Sequence, residues 1–359
     1  MKKVNLTLFI TVIIISLFGI LMIYSSSYVW AEYKFSDPFK YARNQAIFVI
    51  IGIFLMYVIS KVDFENYFKY SNKIFLICLL LLVLVLFFGS ERNGSKSWFG
   101  VGSFGIQPSE FMKLAMIIFT SKYLYNNHKN IENIKKGVIP ILCLTLIIFA
   151  LIMLQPDFGT GLILVFGVIG LLFVGGVSIK FFIKIGLAGI GGIVALIMAA
   201  PYRLKRIFAF LNPWDDPLGS GFQIIQSLYA IGPGGLFGFG LGGSRQKHFY
   251  LPEPQTDFIF SIISEEFGFL GVLIVSVLFI LIIYCSIKIA LNCENLFGKY
   301  LVFGIVFELA FQALLNLMVV VGLIPVTGVT LPFLSYGGSS LLITLLSMGI
   351  ILNISRHQK

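Results

Sequence analysis

The chain has 359 residues, of which 58% are hydrophobic and only 12% charged, with a formal net charge of +10 and a mean hydropathy of +0.96. A water-soluble chain of this length could not bury so much apolar surface in its cores. The composition therefore excludes a soluble enzyme or binding module and predicts an all-α, polytopic integral membrane protein. The basic excess reads as a topology signal, helped by anionic lipid head groups, and implies no nucleic-acid partner.

Apolar runs near the ~20 residues that cross a bilayer recur along the chain. They predict about ten transmembrane helices, at residues 5–28, 44–60, 71–89, 108–125, 137–154, 160–177, 181–200, 267–287, 299–321 and 334–354. The first run follows Lys2 and Lys3 and ends at Ser25-Ser26-Ser27. It is longer than a signal-peptide core, and more spans follow, so it reads as an uncleaved helix. With ten spans, more than half of the 26 basic residues fall on the side of the N-terminus, among them Lys135, Lys136, Lys299 and Arg356. The positive-inside rule then places both termini in the cytoplasm.

Three segments on the opposite side carry polar chemistry. In the first, Pro108 opens span four, and Glu110 and Lys113 are three apart on one helix face. An ion pair and a substrate contact both fit that spacing. The second is the turn Gln155-Pro156-Asp157-Phe158-Gly159, where Asp157 serves as a cap for span six or as a free carboxylate.

The third is an extracytoplasmic loop over residues 201–266, longer than a simple connector and so expected to be functional. Tyr202, Phe208 and Trp214, with Arg203, Lys205 and Arg206, suit an amphipathic helix at the interface. Gly238, Gly240 and Gly243 satisfy G-x-G-x-x-G, but no βαβ unit accompanies them, so a dinucleotide site is rejected. They read as a bend re-entering the bilayer surface, whose N–H groups could hold a phosphate. Arg245 and Lys247 follow at once, placed for an anionic head group. The loop closes with LPEPQTDFIFSIISEE, which holds Glu253, Asp257, Glu265 and Glu266, four of the 16 acidic residues of the chain. Carboxylates beside a membrane are costly and mark chemistry or ion handling.

Within span nine, Glu308, Gln312 and Asn316 recur every four residues on one face, either as a helix-packing network or as an ion pathway. Cys78, Cys143, Cys285 and Cys293 offer no pair on the oxidising side, so no disulfide is expected. His128, His248 and His357 are too scattered for a His-based metal site or a Ser-His-Asp triad.

The strings NGSKSWFGVGSFGIQPSEFMKLA, QPDFGTGLIL, GFQIIQSLYAIGPGGLFGFGLGGSRQK, LPEPQTDFIFSIISEEFGFLG and GLIPVTGVTLPFLSYGGSS together resemble the SEDS family (shape, elongation, division and sporulation), which includes FtsW, RodA and SpoVE. The resemblance spans nearly the whole chain, as a single membrane domain. It implies ten membrane helices and peptidoglycan glycosyltransferase activity on lipid II. The family's essential acid falls on Asp257, its Q-P-S-E-x-x-K string on Glu110 and Lys113, and its loop tryptophan on Trp98. Many members carry His where this chain has Gln255, which argues against a His base. A class B penicillin-binding protein is the implied partner, because glycan strands must also be crosslinked. The wording of LPEPQTDFIF and VTLPFLSYGGSS is closer to the division and sporulation branches than to the elongation branch.

The expected chemistry is attack by a sugar 4-hydroxyl on the anomeric carbon of a second lipid-linked sugar. Asp257 is the expected base, with Glu253 in support. Lys113, Arg245 and Lys247 are expected to meet the pyrophosphate leaving group, with a divalent cation (Mg or Mn) as a candidate helper. A flippase of lipid-linked precursor is the alternative and would need essential polar groups at midplane, where only the Glu308 face qualifies. A scaffold without chemistry would leave Asp257 dispensable.

Overall fold

The computed structural model describes residues 4–92, 95–100, 105–131, 133–198, 210–219 and 221–357. Among these, the chain runs through eleven α-helices and one small hairpin. In order these are α1 (Leu6–Phe35), α2 (Lys40–Ile59), α3 (Glu65–Phe88), β1 (Ser90–Arg92), β2 (Ser95–Trp98), α4 (Pro108–Asn127), α5 (Ile139–Met153), α6 (Phe158–Val174), α7 (Ile179–Met198), α8 (Phe222–Ile231), α9 (Ile259–Leu291), α10 (Leu296–Val320) and α11 (Gly338–Ile354). All the helices except α8 coincide with the ten expected spans. Seven of the spans are long and apolar enough to cross a membrane by themselves.

The remaining three spans are α4, α6 and α7. Helix α4 is less apolar because it is central. It packs against α3, α6 and α10, and it buries Ser109, Glu110, Lys113, Thr120 and Ser121 rather than showing them to lipid. Helix α6 is short, and Gly167 and Gly170 let α10 approach closely: a Cβ at Gly170 would lie 2.4 Å from the Phe307 ring. Small residues of this kind permit tight packing between membrane helices. Outward faces carry the opposite chemistry, as at Phe54, Leu76, Phe87, Leu146 and Ile280, all largely exposed.

Local signals set the ends. Asn5 caps α1 by accepting the Leu8 N–H at 3.0 Å, and Ser36 stops it in a left-handed conformation. Pro108 sits in the first turn of α4, where its missing N–H costs nothing. The Asn5 N–H donates to Ser355 Oγ at 3.1 Å, so the two ends of the described chain lie together at one end of the bundle.

Two features depart from the sequence expectation. The segment after α3 forms an antiparallel hairpin with Ser90 opposite Trp98, a small exception in an otherwise helical chain. The 201–266 loop is also shorter than expected, because its last residues are helical. Helix α9 begins at Ile259 and is broken at Gly268, which has φ 59° and ψ −151°. Glu265 and Glu266 therefore sit inside a helix and are buried. The stretch with Tyr202, Arg203, Lys205, Arg206 and Phe208 lies outside the described residues.

Candidate active site

The Asp257 segment is a turn built under constraint. Glu253, between Pro252 and Pro254, has a φ of 45°, a left-handed conformation that costs a non-glycine residue roughly 1–3 kcal/mol. Its carbonyl accepts the Thr256 N–H at 3.1 Å and the Thr256 hydroxyl at 2.8 Å. The strain persists because neighbouring elements clamp the carbonyls of Gln255, Thr256 and Asp257. The Tyr336 N–H donates to the Gln255 carbonyl at 2.8 Å, Ser335 Oγ to the Thr256 carbonyl at 2.6 Å, and Asn316 Nδ2 to the Asp257 carbonyl at 2.7 Å. Ser335 and Tyr336 belong to the α10–α11 connection, and Asn316 to α10 itself.

Below this turn opens a cavity of about 590 Å³, within the range of small-molecule sites. Trp98, Glu110, Asp157, Glu253, Asp257 and Gln312 all line it. Thus the hairpin, α4, the α5–α6 turn, the Asp257 segment and α10 converge on one space. Burial, with a smaller contribution from Glu253, pushes the Asp257 carboxyl up to about 6. Gly328 closes the wall beside it with a φ of 72°, and a Cβ there would lie 3.8 Å from Asp257 Oδ2.

Asp157 is a helix cap and more. Its Oδ1 accepts the Thr160 N–H at 3.2 Å, and its Oδ2 accepts Gln107 Nε2 at 2.8 Å. Burial raises its pKa, while the bonds from Thr160 oppose the rise. Lys113 stands behind the wall rather than in it. Its ammonium lies 3.1 Å from Glu110 Oε2, 3.0 Å from Gln312 Oε1 and 3.9 Å from Glu308 Oε1. The Glu110–Lys113 spacing thus forms an ion pair. A polar void of about 20 Å³ adjoins it, room for one water molecule.

Two expected contacts are not brought here. Lys247 has a side chain that is 0% exposed and pairs with Glu266 Oε1 at 2.7 Å, with its ammonium 4.9 Å from the Tyr28 ring centroid. Ser25 Oγ donates to the same carboxylate at 2.6 Å. An ammonium so enclosed has no path to a substrate, so Lys247 ties the loop to α1 and α9 instead. Arg245 is exposed, and its guanidinium lies 5.1 Å from the Phe239 ring centroid, away from the residues that line the cavity. Nor do Gly238, Gly240 and Gly243 offer free N–H groups to a phosphate. Those of Gly238, Gly240 and Gly243 donate to the carbonyls of Gly234, Glu266 and Gly240.

Sequence reasoning missed other wall residues. Tyr336 and Thr327 line the cavity, and both hydroxyls are buried with no protein partner. Their only signal was membership of the long 322–340 string. Gln312 and Asn316 were visible as a periodic polar face, but their partners were not.

Among the described residues the cavity wall carries four carboxylates and no lysine or arginine. No group of three or more His, Cys, Asp or Glu side chains is arranged there to hold a metal ion.

Comparison with known proteins agrees with this architecture. The chain is 52% identical over 357 residues to stage V sporulation protein E of Bacillus subtilis (strain 168), covering 99% of this chain and 98% of that one. It is 40% identical to a "Probable peptidoglycan glycosyltransferase FtsW" of Geobacter sp. (strain M18), covering 97% and 95%. A solved chain from a peptidoglycan synthase complex that coordinates polymerization and crosslinking superposes with a TM-score of 0.81 at 32% identity, over 100% of both chains. The family model of FtsW, RodA and SpoVE cell cycle proteins matches residues 5–359, and this chain belongs to that family.

Proposed function

We propose that the cavity is where this chain, a peptidoglycan glycosyltransferase like its relatives, joins lipid-linked disaccharides, with Asp257 as the general base. The observation that carries the reading is a carboxylate held near a pKa of 6 in the wall of a cavity of sugar-binding size. A base is most useful when its pKa lies near the working pH. The substrate is lipid II, taken at the outer face of the cytoplasmic membrane, with both termini in the cytoplasm.

In the reaction, the 4-hydroxyl of one substrate sugar attacks the anomeric carbon of another. A C–O bond to the acceptor forms as the C–O bond to pyrophosphate breaks, and the hydroxyl proton passes to Asp257. Undecaprenyl pyrophosphate leaves, and the configuration at the anomeric carbon inverts. One base suffices, unlike the paired carboxylates of a glycosidase. Trp98 offers a flat surface for a sugar face. Lys113 acts on the cavity through Glu110 and Gln312, which it holds in place.

An acidic wall repels a pyrophosphate, so the leaving group needs a cation. Mg²⁺ is commonly held by one or two carboxylates with substrate phosphates completing its shell, and Glu253 with pyrophosphate oxygens fits that pattern. Bound there, such an ion would offset the charge developing on the leaving group. The crosslinking partner is a class B penicillin-binding protein, and the role is in division or sporulation.

The test is polymerisation of lipid II by purified protein. Asp257→Asn should abolish glycan chains while the protein keeps its elution profile and melting temperature. Substantial residual polymerisation would remove Asp257 from the role. Lys113→Ala should weaken use of lipid II, and unchanged kinetics would leave Lys113 as a packing element.

A further inference from the structure

The glycine-rich stretch before Arg245 presents an unusual surface. Leu236 is 64% exposed and Phe237 is 73% exposed, with Phe239 and Leu241 also exposed beside them. Such a contiguous group of large apolar side chains is rare on a face meant for water.

Its backbone is arranged for a different solvent. At the break in α9 the Phe269 N–H donates to the Gly235 carbonyl at 2.9 Å and the Leu270 N–H to the Leu236 carbonyl at 3.1 Å. In return the Phe239 and Gly240 N–H groups donate to the Glu265 and Glu266 carbonyls, at 3.0 and 2.9 Å. Gly238 donates to the Gly234 carbonyl at 2.7 Å. Its φ is 71°, and a Cβ there would lie 2.3 Å from the Glu266 carbonyl, so the approach depends on glycine. Irregular backbone is tolerated at hydrocarbon depth only where it is sheltered by the protein, and these bonds give partners within the protein to backbone groups of Gly234, Gly235, Leu236, Gly238, Phe239 and Gly240.

Depth follows from α9. From Phe269 to Lys288 the helix rises about 29 Å at 1.5 Å per residue, close to the ~30 Å hydrocarbon thickness. Phe269 therefore lies at the hydrocarbon boundary, and the loop residues bonded to it lie at the same level. Their apolar side chains continue the face of Phe269, Leu270, Leu273 and Ile274, which is exposed on the membrane helix. Arg245 completes the pattern, with its charge above the Phe239 ring. A cation with an apolar footing suits the head-group layer.

We propose that Leu236, Phe237, Phe239 and Leu241 insert into the outer leaflet, with Arg245 at the phosphate level, so that this loop is a lipid-embedded anchor. The loop is tied to Glu265 and Glu266, in the half-helix that starts just after Asp257. Insertion thus fixes the height of the Asp257 segment relative to the head groups, independently of which group acts as base.

The test is site-directed spin labelling of the purified chain alone in phospholipid nanodiscs. Cys143, the one exposed cysteine, is first replaced by Ser. Labels are placed at Phe237→Cys and Leu241→Cys, with Phe269→Cys as the lipid reference and Glu91→Cys as the aqueous reference. Collision rates are read with oxygen and with a water-soluble nickel chelate. The oxygen-to-nickel ratio at 237 and 241 should match that at 269 and exceed that at 91 several-fold. Nickel-dominated collisions at both loop sites, as at 91, would overturn the proposal and point to a protein-docking face left open to water. Low collision rates with both reagents would overturn it as well, by placing the side chains inside the protein. Two loop positions are used so that one disturbing label does not decide the outcome.

Discussion

The side-chain amide of Asn316 holds the Asp257 carbonyl at 2.7 Å and the Val329 carbonyl at 2.7 Å, so one α10 residue fixes both the proposed base and the wall that faces it. Its Oδ1 has no protein partner. Asn316 touches the backbone rather than the reacting atoms and is therefore a positioning residue. Asn316→Ala should lower kcat about 10–100-fold, as expected when a base is displaced by about 1 Å, with a smaller change in KM. Steady-state kinetics on lipid II would check this. A rise in KM alone would instead mean that Asn316 shapes substrate binding.

The pH dependence follows from Asp257. A base must be ionised, and its pKa is about 6, so kcat/KM should level off above that value. Below it the rate should fall, approaching about tenfold per pH unit. Folding has the opposite sign. The raised pKa means that the fold favours the neutral acid, so this group's contribution to stability is lost as the pH rises through about 6. Asp257→Asn should then melt no lower than the parent at pH 8. A pH–rate profile without the acid limb would remove Asp257 as the base.

Lys247 gives a contrasting prediction. Removing one partner of a buried ion pair strands the other and costs about 3–5 kcal/mol. Lys247→Ala should lower the melting temperature markedly, while the KM of the surviving folded protein stays unchanged. Lys247→Met combined with Glu266→Gln should recover part of the loss, because neither group is then left charged. A selective rise in KM with normal stability would return Lys247 to the substrate.

Chelation tests the acidic wall. EDTA should stop polymerisation, and Mg²⁺ or Mn²⁺ should restore it. Glu253→Gln should raise the metal concentration needed for half-maximal rate more than it lowers the maximum. Full activity in EDTA would mean that the pyrophosphate charge is met by protein groups alone.

The sequence exposed the site wherever a residue type was costly in its surroundings. Glu253 and Asp257 stood out because acids are scarce in this apolar chain, and Glu110 and Lys113 because a helix turn pairs them. Lys247 was misread for the same reason. A basic residue beside a glycine bend looks ready for a phosphate until its partner is known. The partner of Lys247 is Glu266, about two turns inside a helix whose start the sequence did not mark. Ser335 and Tyr336 carry no charge and contribute a hydroxyl and a backbone N–H to carbonyls about eighty positions away. Only the folded chain reveals such contacts. The α9 break was equally hidden, because a single glycine in a long apolar run is compatible with an unbroken helix.

The four carboxylates of the cavity wall also determine what a competing small molecule must look like. A phosphonate copy of the substrate would meet the same repulsion as pyrophosphate and would depend on an added metal. An amino sugar whose ammonium reaches Glu253 and Asp257 would be drawn in by the wall itself, and above pH 6 the attraction would strengthen as Asp257 ionises. Inhibitors of this chain should therefore be sought among cationic sugar mimics rather than among anionic ones.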